Sequence, residues 1–211
     1  MDAVVNKYYN FSVMVTKLLA LNALWVVFTL LGLGIFGVMP ATLAMFSVTR
    51  KWAIGETDIP MFQTFWETYK KEFLKANGYG LIFTVTVYLL LVAYGILGTQ
   101  TGAPYILSGY IILGLLLLML IGITYFFPIY VHFSLRPLEY LRWPLMIGLN
   151  HPILTFVLVG GTTLIGYLLL RFVPGILLFL GPGLFAYMIN RGVAKVYPFY
   201  SETKATTEES V

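Results

Sequence analysis

Two histidines, His132 and His151, are the side chains in this sequence best suited to metal binding or proton transfer, and no cysteine is present. Metal and acid–base sites need several such groups held together. Neither histidine has carboxylates or other ligands at a suitable spacing, and the H-E-x-x-H, G-x-S-x-G and P-loop patterns do not occur. We therefore predict no catalytic residue, no metal, no cofactor and no enzyme activity.

Glycine and proline in two apolar runs are the second feature that could serve a function. LGPGLF contains Gly181, Pro182 and Gly183, and VGGTTLIG contains Gly160 and Gly161. Proline removes a helical hydrogen bond, and glycine lets a helix bend or approach another closely. Broken helices also build binding sites in transporters. We interpret both segments as sites of kinking and close packing, with a transport path near Pro182 as the alternative.

The stretch RKWAIGETDIPMFQTFWETYKKEF, residues 50–73, mixes charged and aromatic residues within an apolar chain. Its periodicity predicts an amphipathic helix near 59–76 with an aromatic side and a basic side. Such a helix can lie on lipid or bind a groove on a partner protein. If it binds a partner, the expected contact residues are Trp52, Phe62, Phe65, Trp66, Tyr69 and Phe73.

The elements that carry these residues follow from the composition. The chain has 211 residues, of which 59% are hydrophobic and 10% charged, and its mean hydropathy is +0.86. Apolar runs long enough to cross a bilayer recur along it. We predict an all-α polytopic membrane bundle, residues 1–200, followed by a disordered cytoplasmic tail, 201–211. The six predicted spans are 18–36, 40–52, 78–98, 105–131, 153–170 and 175–189, and the short second one could instead re-enter.

The basic residues predict the orientation of this bundle. With six spans both termini lie on one side, and that side holds twelve of the thirteen lysines and arginines, leaving only Arg171 opposite. Basic residues concentrate in cytoplasmic loops. We therefore expect a multi-pass protein of the cell membrane with both termini in the cytoplasm.

Three segments of the chain resemble the YesL-like family of small bacterial membrane proteins. They are KLLALNALWVV, GVMPATLAMFSVTRKWAIGE and FWETYKKEFLKAN, so the specific part of the resemblance covers roughly residues 18–77. Members are commonly encoded in Gram-positive bacteria beside carbohydrate ABC importers and glycoside hydrolases. The resemblance implies an association with oligosaccharide uptake and supplies no catalytic residues.

The sequence also limits that role, because it contains neither the EAA-type motif of importer permeases nor a P-loop. The expected function is that of a non-enzymatic accessory subunit that binds the importer's permease subunits and the lipid bilayer, without nucleic acid or metal. A small independent transporter and a membrane signalling partner of the importer are the alternatives.

Overall fold

The computed structural model describes residues 2–195, except for the side chains of 2–7, 10, 11 and 176–178. Over these residues the protein is all-α, as predicted, and contains no strand. Its helices are α1 (Asp2–Leu31), α2 (Ile35–Ala53), α3 (Met61–Gly98), α4 (Ala103–His132), α5 (Glu139–Asn150), α6 (Pro152–Phe172) and α7 (Pro174–Ala194). The predicted tail, 201–211, lies outside the described residues.

Within the described part of the chain, four helices are long and apolar enough to cross a membrane. They are Ser12–Leu31, Met61–Gly98, Ala103–His132 and Pro152–Phe172. Much of their apolar surface faces outward, including Leu81 (66% exposed) and Phe156 (79% exposed). Surface of this kind would be unfavourable in water over so large an area. The protein is therefore a helical membrane protein.

The first two helices form a tight hairpin whose position corrects two predicted boundaries. The chain turns at residues 32–34, inside the predicted first span, with φ of 58° at Leu33 and 74° at Gly34. Pro40, expected at a helix start, lies inside α2. The two backbones meet closely beside the turn, because a Cβ atom on Gly37 would overlap the backbone of Thr29. Glycine is therefore required where α2 crosses α1.

The short helix α2 is the centre of the bundle and contacts α1, α3, α4 and α7. Its side chains are buried on several sides, including Leu43, Ala44 and Val48, each fully inaccessible. A helix that is apolar all round is buried by its neighbours. This position explains why α2 can remain ordered although it is the shortest of the predicted spans.

The predicted amphipathic helix near 59–76 is not a separate element. It is the first half of α3, which continues without a break from Met61 to Gly98. The sequence between Lys75 and Leu81 has glycines but no proline, and glycine weakens a helix by only about 1 kcal/mol per residue. Ala76 and Gly80 are both buried, so packing stabilises the continuous helix at this point.

The first half of α3 runs antiparallel to α2. Lys51 pairs with Thr64, Ser47 with Thr68, and the carbonyl of Phe36 with Asn77. The predicted second span and the predicted amphipathic segment therefore lie side by side. The apolar half of α3, 78–98, then extends roughly 30 Å past the start of α2, at about 1.5 Å per residue.

Helix α4 returns along this extension, and its last turns join the central core. Phe126 packs with Leu43 of α2 and Ala76 of α3. Between the fourth and fifth predicted spans lies a short helix that was not expected, α5, which packs on α4. The α6–α7 hairpin completes the fold, with Leu158 and Val193 in the core that α4 and α5 share.

Candidate functional site

The six aromatic residues predicted to contact a partner divide into a buried and an exposed group. Trp52, Phe65 and Tyr69 are 4%, 0% and 7% exposed, and Phe73 is half-buried against the same core. Tyr69 also donates a hydrogen bond of 3.0 Å to the carbonyl of Phe28 in α1. Phe65, Tyr69 and Phe73 hold the first half of α3 onto the bundle, and Trp52 of α2 lies in the same core, so the aromatic pattern reflects packing.

Phe62 and Trp66 form the exposed group, 58% and 37% accessible. Both rest on the ring of Phe28, with centroid separations of 6.3 and 5.4 Å. Lys70 lies over the outer face of Trp66, 4.7 Å from the ring centroid. We call Phe62, Trp66 and Lys70 the aromatic patch. Its rings are supported from below, so little side-chain entropy would be lost if a partner or lipid covered them.

The Gly181-Pro182-Gly183 segment lies inside α7, which remains a helix from end to end. Asn22 of α1 is 2% exposed and faces this point. Its Nδ2 donates to the carbonyl of Phe179 at 2.6 Å, and its Oδ1 accepts from the N–H of Gly183 at 2.8 Å. These two backbone groups are four residues apart, the spacing that closes a helical turn. Asn22 therefore bridges the helix where proline disturbs it.

A second asparagine has a related role at Pro40, a buried proline inside α2. Pro40 has no N–H, so the carbonyl of Phe36, four residues earlier, has no helical donor. Asn77 Nδ2 donates to that carbonyl at 2.9 Å. A third, Asn190, joins α7 to α2 through the carbonyl of Phe46 and the hydroxyl of Thr49. Sequence reasoning missed these partners, although asparagine in an apolar segment was the available signal.

The glycines predicted to allow close packing differ in how near they lie to other helices. Gly183 lies so close to α1 that a Cβ atom would stand 3.1 Å from Asn22 Oδ1. Around Gly160 and Gly161, however, a Cβ atom would meet no described atom within 4 Å. The expected close approach at these two glycines is therefore absent from the described residues of this chain, and only the α7 segment forms such a contact.

A polar cavity of about 770 Å³ opens between α2, the first half of α3 and the end of α4. We call it the polar cavity. It brings together groups that are far apart in the sequence, from Ser47 to Tyr140. Its charged and hydroxyl-bearing lining residues are Ser47, Arg50, Lys51, Thr64, Glu67, Thr68, Lys71, Glu72, Lys75, Tyr79, Tyr130, Ser134 and Tyr140. His132 also lines it, whereas His151 lies at the α5–α6 junction.

The charges of the polar cavity are poorly paired. The ion pair between Lys75 and Glu72, at 4.0 Å, is the one that occurs among the described residues. Glu72 also accepts a hydrogen bond of 2.6 Å from Tyr130. Arg50 donates through Nη1 to the carbonyl of Val131 at 2.7 Å, and its buried Nε has no partner. The cavity thus contains cationic groups that no carboxylate of the described chain neutralises.

This cavity was not predicted from the sequence. Its residues were expected to form one face of a cytoplasmic helix and unrelated loop positions. The charged turns 67–75 were the available signal, since charges in an apolar chain face water or a polar partner. Their neighbours Arg50 and Tyr130 come from other helices, and only the fold could place them there.

Three comparisons relate the chain to known proteins. A model for the family described as "Protein of unknown function, DUF624" matches residues 18–94. From Bacillus subtilis (strain 168), "Uncharacterized protein YesV" is 39% identical over 83% of this chain and 84% of its own length. "Uncharacterized protein YesL" is 36% identical over 85% of this chain and 84% of its own length. "Uncharacterized protein YteU" is 31% identical over 92% of this chain and 87% of its own length.

No solved structure matches the chain. The alignments with the three relatives cover 83%, 85% and 92% of the chain, well beyond the segment 18–94 that the family model matches. The resemblance seen in the first helices therefore holds for most of the chain, which belongs to the YesL-like DUF624 family of proteins.

Proposed function

We propose that this protein is a non-enzymatic accessory subunit that binds the permease subunits of a carbohydrate ABC importer in the cell membrane. The observation that carries the proposal is the aromatic patch, in which Phe62 and Trp66 are exposed on a rigid helix beside Lys70. Aromatic residues anchored on rigid elements are the usual hot spots of protein interfaces. The choice of an importer as partner rests on the family resemblance.

The patch differs from the rest of the exposed apolar surface. Leu81 and Leu74 are exposed aliphatic residues, which suit lipid tails. The patch combines two aromatic rings with a cation, the composition enriched where proteins bind one another. Its position on the charged half of α3, away from the apolar half 78–98, favours a partner at the cytoplasmic surface over hydrocarbon.

The proposed membrane arrangement has six inserted helices with both termini in the cytoplasm. Helices α2 and α7 have 19 and 21 residues and pack along each other, so the α1–α2 and α6–α7 hairpins enter the membrane to a similar depth. The distribution of basic residues supports the orientation, because twelve of thirteen lie on the side of the termini.

Two observations support a re-entrant hairpin for α1 and α2 within this arrangement. The turn between them exposes apolar side chains, with Leu33 at 83% and Ile35 at 84%, and its N–H groups bind carbonyls of the same hairpin. A lipid-buried turn needs both properties. In addition, α2 lies beside the charged half of α3. The α3–α4 turn, with Thr99, Gln100 and Thr101, is polar and suits the external surface.

The importer partnership is tested with the double change Phe62→Ala and Trp66→Ala. The tagged protein is expressed in its native host, solubilised in mild detergent, and its partners are identified by mass spectrometry. Burial of one large aromatic contributes about 1.5–3 kcal/mol, so the double variant should bind at least a hundredfold more weakly.

The matched control is Leu74→Ala, an exposed apolar change on the same helix, which should keep the partner. Thermal unfolding must show that the double variant still folds, because both rings contact Phe28. Undiminished recovery of the permeases by a folded double variant would reject the patch as the docking surface. Absence of permeases from the wild-type sample would reject the importer as the partner.

A further inference from the structure

We propose that the polar cavity binds a phosphate-bearing anion, either a soluble phosphate ester or the phosphate headgroup of an anionic lipid. The cavity is lined by four lysine and arginine side chains and two glutamates, a surplus of two positive charges. Its volume of about 770 Å³ lies in the range of known small-molecule sites. The inference concerns a ligand and is independent of the importer partnership.

The two glutamates are already engaged at the edges of the cavity. Glu67 accepts a hydrogen bond of 2.9 Å from Gln63, on the same helix. Glu72 accepts from the Tyr130 hydroxyl at 2.6 Å and lies 4.0 Å from Lys75. Neither carboxylate forms an ion pair with Arg50, Lys51 or Lys71 in the described structure. An anion entering the cavity would therefore meet three cations that are not bonded to either carboxylate, and the net charge of the lining is positive even with both glutamates counted.

Arg50 is the fixed element of the proposed site. One of its five N–H donors binds the carbonyl of Val131, which holds the guanidinium at the end of α4. Its Nε–H is buried without a partner, and a partly buried cation lacking a counterion is unfavourable. A phosphate in the cavity would neutralise this charge through the part of the guanidinium that lines the cavity, because the fork of donors on arginine matches the geometry of phosphate.

Lysines complete a set of cationic donors suited to phosphate. Lys51 makes only a long contact of 3.5 Å to Thr64, and Lys71 makes no hydrogen bond or ion pair with the described residues. The hydroxyls of Ser47 and Thr68 are bonded to each other at 2.9 Å and to backbone carbonyls, so the donors left for a ligand are the cations. Several cations favour a doubly charged anion that has three or more oxygens over a single carboxylate.

Lys71 and Lys70 provide a matched pair of variants. They are neighbours with the same charge on one helix, but Lys71 lines the polar cavity whereas Lys70 covers Trp66 outside it. Both side chains are exposed, so neither change to glutamine should prevent folding. Arg50→Gln is a third variant, interpreted only if its thermal unfolding remains cooperative.

The first arm of the experiment uses inorganic phosphate. The full-length protein in neutral detergent with phosphatidylcholine is unfolded thermally at increasing sodium phosphate, with sodium chloride at equal ionic strength as the reference. We expect a saturable rise in Tm. Lys71→Gln should weaken the phosphate affinity about tenfold, the effect of losing one charged contact, and Lys70→Gln should leave it unchanged.

The second arm uses lipid. The protein and its variants are compared in nanodiscs of phosphatidylcholine with and without phosphatidylglycerol. A rise in Tm that depends on phosphatidylglycerol and on Lys71, without an effect of phosphate, identifies the ligand as a headgroup. The converse result identifies a soluble phosphate ester. The proposal is overturned if neither probe stabilises the protein, or if Lys70→Gln and Lys71→Gln lower the response equally.

Discussion

Replacing Asn22 by alanine removes two hydrogen bonds that join α1 to the proline-containing turn of α7. The carboxamide accepts from the N–H of Gly183 and donates to the carbonyl of Phe179, at 2.8 and 2.6 Å. Asn22 is 2% exposed, so water does not replace these contacts in the folded protein. The substitution should therefore lower stability without changing the surface of the molecule.

The expected loss is about 1–3 kcal/mol in the free energy of unfolding. Interhelical hydrogen bonds in membrane proteins contribute about 0.6 kcal/mol on average and up to about 1.7, and Asn22 makes two of them. The upper part of the range applies if the freed groups of Gly183 and Phe179 remain unpaired. The lower part applies if they approach each other and close an ordinary helical turn.

The measurement is an equilibrium unfolding titration with sodium dodecyl sulfate in mixed micelles, followed by tryptophan fluorescence. Asn150→Ala is the control, since Asn150 is exposed and the chemical change is identical. It should alter the unfolding free energy by less than about 0.5 kcal/mol. Equal effects of Asn22→Ala and Asn150→Ala would refute the assigned role of Asn22.

A double-mutant cycle tests whether Asn22 acts on the proline turn itself. Pro182→Ala should change stability modestly, because it removes the proline ring from a turn that Asn22 already bridges and restores an N–H whose helical acceptor is the carbonyl of residue 178. Once the turn can close alone, Asn22→Ala should cost less than it does in the wild type, with a coupling of about 0.5–3 kcal/mol. Strictly additive effects would show that the asparagine and the proline are independent.

Two further predictions concern the hairpin and the topology. Gly37→Ala should prevent stable folding, since the added methyl group would overlap the backbone of α1. Its control, Gly78→Ala, faces open space and should be neutral or stabilise the protein by up to about 1 kcal/mol. Similar yields of both folded variants would contradict this packing. With a membrane-impermeant thiol reagent, cysteine at Gln100 should react from outside, and cysteines at Gly34 and Ser201 should not. Labelling at Gly34 would replace the re-entrant hairpin by a full crossing, and labelling at Ser201 would reject the proposed orientation.

The class of the protein and most of its helices follow from the hydrophobic pattern of the chain alone. Runs such as 105–131 and 153–170 are apolar over the length of a bilayer, and they match α4 and α6 within a few residues. Prediction succeeded here because the hydrophobic content of one segment decides whether it can cross lipid, whatever its neighbours are.

Prediction was less accurate for helix boundaries that depend on contacts with another helix. The turn at 32–34 interrupts a predicted span, because the backbones of α1 and α2 meet at Gly37. The segment 59–76 and the span 78–98 are one helix, since Ala76 and Gly80 pack against other elements. Local composition contains no information on these contacts.

Which polar and aromatic residues remain available for function depends on how the helices pack against one another. The periodicity of 59–76 predicted an aromatic side, but the packing of α1 buries Phe65 and Tyr69 and leaves Phe62 and Trp66 exposed. The polar cavity likewise depends on α2 and α4 bringing Arg50 and Val131 together across 81 positions of the chain. Hydrophobic pattern specifies which face of a helix is covered, whereas the position of each helix relative to the others decides what covers it.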